Sequence, residues 1–345
     1  LIALDLAATT RLSNINTLEI HMSAFARLCM LGLCLLVGQG PLLAQTYPER
    51  SIKFIVPFPP GGPADLVART LASKLTISLG KSVIVENRSG AGGNIATDEV
   101  AKAAPDGLTL LLATNGPLVV NQALYGTLPF DPQKDFATVS QIAEIPLAVL
   151  VHPSLPVNSM QELIAYAKAH PGQLSYASSG AGSGGHLSGA LIAQMAQIDL
   201  AHVPYRGLAP ATSDLFAGHV KMMVGGLFSA LPYVEAGKLK ALAVATPKRV
   251  QSAPNLPTVA ETGLKGFEIV SWYGVVVPAK TPQPIIDRLY QDLMAAVNMP
   301  DVQERLFEKG GLEKIANSPS EFAAVIAREI PQYAHIVKIT GAKAE

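Results

Sequence analysis

The chain has 345 residues, 49% of them apolar and 15% charged, with equal totals of 26 basic and 26 acidic side chains. That composition excludes a disordered or coiled-coil chain, and zero formal net charge leaves no whole-protein field to draw in nucleic acid or an anionic membrane surface. The length predicts two domains or one large one.

Residues 1–21 lack an initiating methionine and read as a leader extension upstream of the true start. From Met22 the order is that of a signal peptide: Arg27, an apolar run from Leu28 to Val37, then Leu42-Leu43-Ala44. The run is far shorter than the roughly 20 residues of a membrane span, so residues 22–44 are expected to be removed near Ala44 on export. Both cysteines, Cys29 and Cys34, fall inside this segment, which leaves no thiol for nucleophilic catalysis or cysteine-held zinc in the rest of the chain.

Beyond the leader the pattern predicts alternating β and α elements. A strand over Ile52–Pro57 leads through Phe58-Pro59-Pro60-Gly61-Gly62-Pro63 into a helix over Ala64–Leu79. A strand over Val83–Glu86 leads through a glycine loop into a helix over Asn94–Ala103. A third strand, Thr109–Ala113, passes Thr114-Asn115-Gly116 into a short helix ending near Leu124. Residues 137–152 read as one long extended apolar segment that crosses to a second unit. There a helix over Met160–Ala169, a strand over Leu174–Ala177, the loop Ser178–Gly185 and a helix over His186–Met195 repeat the rhythm. A strand over Ala201–Pro204, the loop Tyr205–Leu208, a helix over Ala209–Ala217, a strand over Met222–Val224, a helix around Ala230–Glu235 and a strand over Ala241–Ala245 complete it. The extended run Ile269–Val277 returns to the first unit, and Gln283–Asn298, Pro300–Lys309 and Pro319–Thr340 are helical. The expected fold class is α/β with two lobes joined by two crossing segments: residues 45–146 and 275–345 in lobe 1, residues 147–274 in lobe 2.

Five βα turns are rich in Gly, Ser, Thr or Pro, and ligands of open α/β sheets bind where such turns gather, outside the carboxyl ends of the strands. Helix N-termini there present unpaired N–H groups to an anion. The same glycines also serve plain turn geometry and helix packing. Asp65 either sits in the first turn of its helix as a dipole-favoured acid or receives a donor from a ligand. Ser183 and His186 lack the Gly-x-Ser-x-Gly elbow of a serine hydrolase, because Ala181 stands two before Ser183. Gly180-Ala181-Gly182-Ser183-Gly184-Gly185 matches the dinucleotide fingerprint, with Arg206 placed to grip a ribose phosphate, so a nicotinamide-dependent enzyme is an alternative. Arg88 and Arg206 are candidate carboxylate clamps, or else surface ion pairs; Tyr205 and Phe228 wall a site or pack. No histidine spacing suits a metal.

Pro57-Phe58-Pro59-Pro60-Gly61-Gly62 with Asp65, Glu86-Asn87-Arg88 with Gly90-Ala91-Gly92-Gly93, Tyr176-Ala177-Ser178 with Gly182-Ser183 and His186-Leu187, and His202-Val203-Pro204-Tyr205-Arg206-Gly207 occur in one order. Together with Leu256–Glu261 and Ser271-Trp272-Tyr273-Gly274 they resemble the Bug family, the TctC-like extracytoplasmic receptors of tripartite tricarboxylate transporters. The resemblance runs from about Tyr47 to Lys343. It implies a type II periplasmic-binding-protein fold, a periplasmic location, a small mono-, di- or tricarboxylate as ligand, membrane permease subunits as partners and no cofactor, nucleic acid or catalysis, in a protein expected to be a monomer. A receptor that reports to a signalling pathway is a further alternative. The implied ligand-binding residues are Phe58, Pro60, Gly61, Gly62, Asp65, Gly93, Thr114, Asn115, Ser178, Ser179, Gly180, Gly182, Ser183, His186, Tyr205, Arg206, Gly207 and Phe228. Where many members carry Val-x-Phe-Asp-Asn before Leu-Pro-Ser, this chain has Met222-Met223-Val224-Gly225-Gly226-Leu227-Phe228-Ser229, and Ala190 stands where a glutamate is usual. Both departures remove carboxylate that an amino-acid ligand's ammonium would need.

Overall fold

A computed structural model describes residues 47–344, so the expected leader lies outside the described residues. From Arg50 onward the chain is one unit by its internal contacts, built around two mixed sheets.

The first sheet opens with β1 (Ile52–Val56), in which only Lys53 is exposed, as a strand covered on both faces requires. Helix α1 (Pro63–Leu79) starts on a proline, whose missing N–H is no loss at a first helical position, and stops at Gly80 with φ 67°. Then come β2 (Val83–Asn87), α2 (Asn94–Ala101), β3 (Thr109–Thr114), a π-helical turn over Gly116–Val120 and α3 (Asn121–Tyr125). The extended segment expected over 137–152 is two strands, β4 (Phe136–Ile145) and β5 (Leu147–Val151), which belong to different sheets. Pro146 separates them, since it has no amide hydrogen to offer a ladder.

The second sheet is assembled from α4 (Met160–Ala169), β6 (Ser175–Ser178), α5 (Gly184–Ala196), β7 (Ala201–Pro204), α6 (Leu208–Ala217), β8 (Met222–Gly226), α7 (Leu227–Glu235) and β9 (Lys240–Val244). Helix α5 begins ahead of His186 because Ser183 caps it, accepting from the His186 amide at 3.2 Å. Strand β8 continues through Gly225 and Gly226, which pair with Ala148 and Leu147. The chain returns as β10 (Ser271–Pro278), then α8 (Gln283–Val297), the two-residue β11 (Glu313–Lys314) and α9 (Pro319–Thr340). Strand β10 joins the first sheet already at Ser271, opposite Ile145, ahead of the boundary expected at 274–275. The helix expected over 300–309 is a short helical turn, Pro300–Val302, followed by a π-helical one, Gln303–Glu308.

The strand orders are β11-β4-β10-β3-β1-β2 and β7-β6-β8-β5-β9. Strand β1 lies parallel between β2 and β3, and β6 lies parallel between β7 and β8; each sheet continues with an antiparallel strand, β10 or β5. The two halves therefore share a topology, and each has a switch point beside its first strand, where open α/β sheets form a crevice. One apolar cluster runs through both lobes, from Ile55 and Leu111 through Trp272 and Phe322 to Val149 and Val224. A second, including Leu150, Met223 and Leu215, covers the other face of the second sheet.

Candidate ligand-binding cleft

The loop after β1 is held by Asp65. Its Oδ2 accepts from the Gly61 amide at 3.0 Å and from Arg69 Nε at 2.9 Å, and its Oδ1 accepts from Asn87 Nδ2 at 3.1 Å. Asn87 also donates to the Phe58 carbonyl at 2.9 Å. Burial pushes the Asp65 carboxyl up, but the donors from Arg69, Gly61 and Asn87 outweigh it and hold the group below the usual carboxylate range. Asp65 therefore organises the loop, with both of its oxygens engaged and its charge paired with Arg69.

The matching loop after β6 rests on two histidines. Ser178 is buried, with its hydroxyl 2.7 Å from His202 Nε2, and the Gly182 amide donates to His186 Nδ1 at 3.2 Å. Gly207, at φ 112°, begins α6 and donates its amide to the Ser179 carbonyl at 3.1 Å; only glycine adopts that backbone geometry without strain.

Three adjoining cavities lie between these loops. An inner chamber of about 60 Å³ is lined by Phe58, Thr114, Asn115, Ser179, Ala181, Ser183, Gly184, Leu208, Ser271 and Tyr273, among others. A second, of about 50 Å³, shares Phe58, Ser179, Leu208 and Tyr273 with it and adds Pro60, Gly62, Pro63, Ala64, Arg206, Gly207 and Ala209. Further out, a cleft of about 640 Å³ runs past Gly61, Asp65, Arg69, Leu208, Phe216, Phe228, Tyr233 and Arg305. The second chamber is bounded on one side by the start of α1 and on the other by the start of α6, and neither helix carries a side-chain cap. Their first-turn N–H groups have no partner within the helix and, with the helix dipoles, favour an anion. No carboxylate lines either inner chamber, and Arg206 is the cation among their described lining residues.

The structure thus brings Phe58, Pro60, Gly61, Gly62, Asp65, Thr114, Asn115, Ser179, Ser183, Arg206, Gly207 and Phe228 to the walls of these cavities. The other six expected residues are not among the described lining residues of these three cavities. A Cβ on Gly93 would meet Pro117 and Pro57, one on Gly180 the Tyr205 carbonyl, and one on Gly182 would collide with Asn121 Oδ1. Ser178 and His186 are buried, and the Tyr205 hydroxyl donates to Asp214 at 2.6 Å. Arg88, read as a possible clamp, forms ion pairs with Glu86 at 2.6 Å and Glu99 at 3.3 Å. Sequence reasoning missed Tyr273, Ser271 and Leu208 as lining residues. The signal for Tyr273 was its place on the returning strand: it pairs with Thr114 at the carboxyl end of β3. Burial raises its hydroxyl pKa, so it stays a neutral donor.

Among the described residues no cluster of His, Cys, Asp or Glu is suited to a metal ion, and no helix is long and apolar enough to cross a membrane.

Two α/β lobes of matching topology, with an anion-favouring crevice between their switch points, define a solute receptor of the periplasmic-binding-protein type. Residues 67–342 match the family described as tripartite tricarboxylate transporter family receptor, TctC. The chain belongs to that family. It is 38% identical over 305 residues to protein BugT of Bordetella pertussis, covering 88% of this chain and 93% of BugT. Among solved structures it is similar to Rpa4515 of R. palustris with adipate, at 37% identity and TM-score 0.82, covering 87% of this chain and 100% of that one. It is also similar to MatC of Rhodopseudomonas palustris with bound malate, at 33% identity and TM-score 0.80, covering 84% and 100%.

Proposed function

We propose that this chain captures a small organic carboxylate between its lobes and delivers it to the membrane permease subunits of a tripartite tricarboxylate transporter. In this reading it works as a monomer in the periplasm once the segment 22–44 is removed. The observation that carries the proposal is the second chamber: uncapped N-termini of α1 in one lobe and α6 in the other line the same space. A carboxylate there accepts hydrogen bonds from both lobes at once, so it binds the closed arrangement better than the open one and shifts the population toward closure. The adipate and malate held by two relatives support the same ligand class.

The glycines of the dinucleotide fingerprint are used differently. Gly182, the glycine whose backbone would approach a pyrophosphate in that fingerprint, packs against Asn121 instead, which speaks against a pyrophosphate cradle there.

A thermal-shift panel on the mature chain, unfolded and refolded to strip bound ligand, tests the proposal. The panel holds aliphatic di- and tricarboxylates, aromatic acids, acidic amino acids and NADP. A ligand at 100 times its Kd adds about 2.7 kcal/mol of stability, which raises Tm by several degrees. Stabilisation by carboxylic acids is the expected result; a response to NADP alone overturns it.

A further inference from the structure

We propose that the outer cleft is a distal subsite for the second acid group of an aromatic diacid, the first acid group being held at the inner chambers; this rests on the carboxylate-receptor reading above. The inner chambers, at about 60 and 50 Å³, admit a carboxylate head and few further atoms, whereas the adjoining cleft spans about 640 Å³. The body of a larger ligand therefore extends past Leu208, which lines all three.

The walls of that cleft are chemically specific. Lobe 2 contributes Phe228 from the first turn of α7, together with Phe216 and Tyr233, whose rings lie 5.4 Å apart. Phe216 and Tyr233 are 42% and 39% exposed, and apolar ring surface of this kind on the rim of a cleft marks a binding face. Across from them Arg305, on the segment Gln303–Glu308, is exposed and makes no ion pair or hydrogen bond among the described residues. Arg69, the other arginine of the cleft, is already held by Asp65 at 2.9 Å and Asn87 at 3.3 Å. Asp65, the carboxylate among the cleft's described lining residues, is likewise engaged by Gly61, Arg69 and Asn87, so the cleft offers an uncommitted guanidinium and no carboxylate free of a cationic partner. A planar guanidinium pairs bidentately with a carboxylate, and the rings suit a flat apolar body. Both features fit a benzene ring with acid groups at opposite ends.

Isothermal titration of the mature chain with benzene-1,4-dicarboxylate, benzoate and butanedioate tests this. The diacid is expected to bind at least tenfold more tightly than benzoate. Arg305→Gln, an exposed change, should erase that advantage while leaving benzoate affinity unchanged, and Tyr233→Ala should weaken both aromatic acids severalfold. Retention of the full diacid preference by Arg305→Gln overturns the subsite, as does binding of butanedioate with neither benzene acid. Those results leave the receptor reading standing; absence of binding by any carboxylic acid overturns that reading and the subsite with it.

Discussion

The imidazoles of His186 and His202 stack face to face, with centroids 4.0 Å apart and planes 12° from parallel, beneath the loop that carries Ser179. Burial pushes His186 down to about 4, and burial together with the neighbouring His186 pushes His202 down to about 3. Both rings are therefore neutral at neutral pH. His186 accepts at Nδ1 from the Gly182 amide, which fixes its proton on Nε2.

This pair makes stability fall on the acid side. An unfolded histidine titrates near 6.5 and the folded one near 4, so between those values the unfolded chain binds more protons. The contribution is fully present above about pH 6.5 and is lost as pH falls toward 4, on the order of 3 kcal/mol for His186. Urea midpoints at pH 7.5 and 4.5 measure it. His186→Asn keeps an acceptor for the Gly182 amide but takes no proton, so its drop between the two pH values should be smaller than that of the parent chain; equal drops would refute the assignment.

Glu329 acts with the opposite sign. It is buried on α9, accepts from Trp272 Nε1 at 2.8 Å, and is pushed up to about 7: burial raises it, while the Trp272 hydrogen bond and Arg328 lower it, and Glu144 and Glu268 raise it further. The folded chain holds this proton more tightly than the unfolded one, so stability present below about pH 4.5 is lost as pH rises through 7. Glu329→Gln stays neutral and still offers an oxygen to the indole. At pH 8 it should be more stable than the parent chain by on the order of 1–3 kcal/mol, with little difference at pH 4.5. Parallel denaturation curves at the two pH values decide the matter.

What the sequence made legible was local. Helices α4 and α9 begin where Ser159 and Ser318 accept from the amides three residues on, and both fall where the sequence analysis puts them. The loops Phe58–Gly62 and Ser179–Ser183 follow from a strand, glycines and a helix in succession. What was not legible is set by pairing between distant residues. The two residues of β11 form a strand only because Glu144 and Ala143 lie beside them. Tyr273 reaches the chamber because β10 pairs with β3. A glycine facing a ligand and one facing the opposite lobe also look alike in sequence, and Gly182 is of the second kind.

Gly182, at φ 76°, lies against Asn121 across the two lobes, and Asn121 Nδ2 in turn donates to Asn94 Oδ1 at 2.7 Å. Gly182→Ala should thus hold the lobes apart: the chain stays folded, loses about 1–3 kcal/mol, and shows little stabilisation by an acid that stabilises the parent. Adding Asn121→Ala removes the collision but not the backbone strain, so rescue should be partial, with a coupling energy of about 0.5–3 kcal/mol. Gly61, also at positive φ, has nothing within 4 Å of a Cβ, and Gly61→Ala should cost less. Strictly additive effects for Gly182 and Asn121 would rule out the contact as the cause.

Asp65 tests whether the first loop must be held in place for binding. Asp65→Ala leaves the Gly61 amide, Arg69 and Asn87 without their common acceptor; Gly61 and Arg69 are exposed and turn to water, so the cost is the net loss of hydrogen bonds, about 0.5–1.5 kcal/mol each. The loop Phe58–Gly62 then loses the link that sets the start of α1 against the chamber, so affinity for a carboxylate should fall by about tenfold, equivalent to about 1.4 kcal/mol. Asp65→Asn presents an amide nitrogen where Arg69 or Asn87 also donates, so it should recover part of the stability and less of the affinity. Because the folded carboxyl lies below its unfolded value of 3.8, its contribution is intact above that pH and disappears only as pH falls below it. Titration calorimetry at pH 7.5 on the three proteins gives the comparison. Parent-like affinity in Asp65→Ala would mean that the N-terminus of α1 is held in position by the backbone alone.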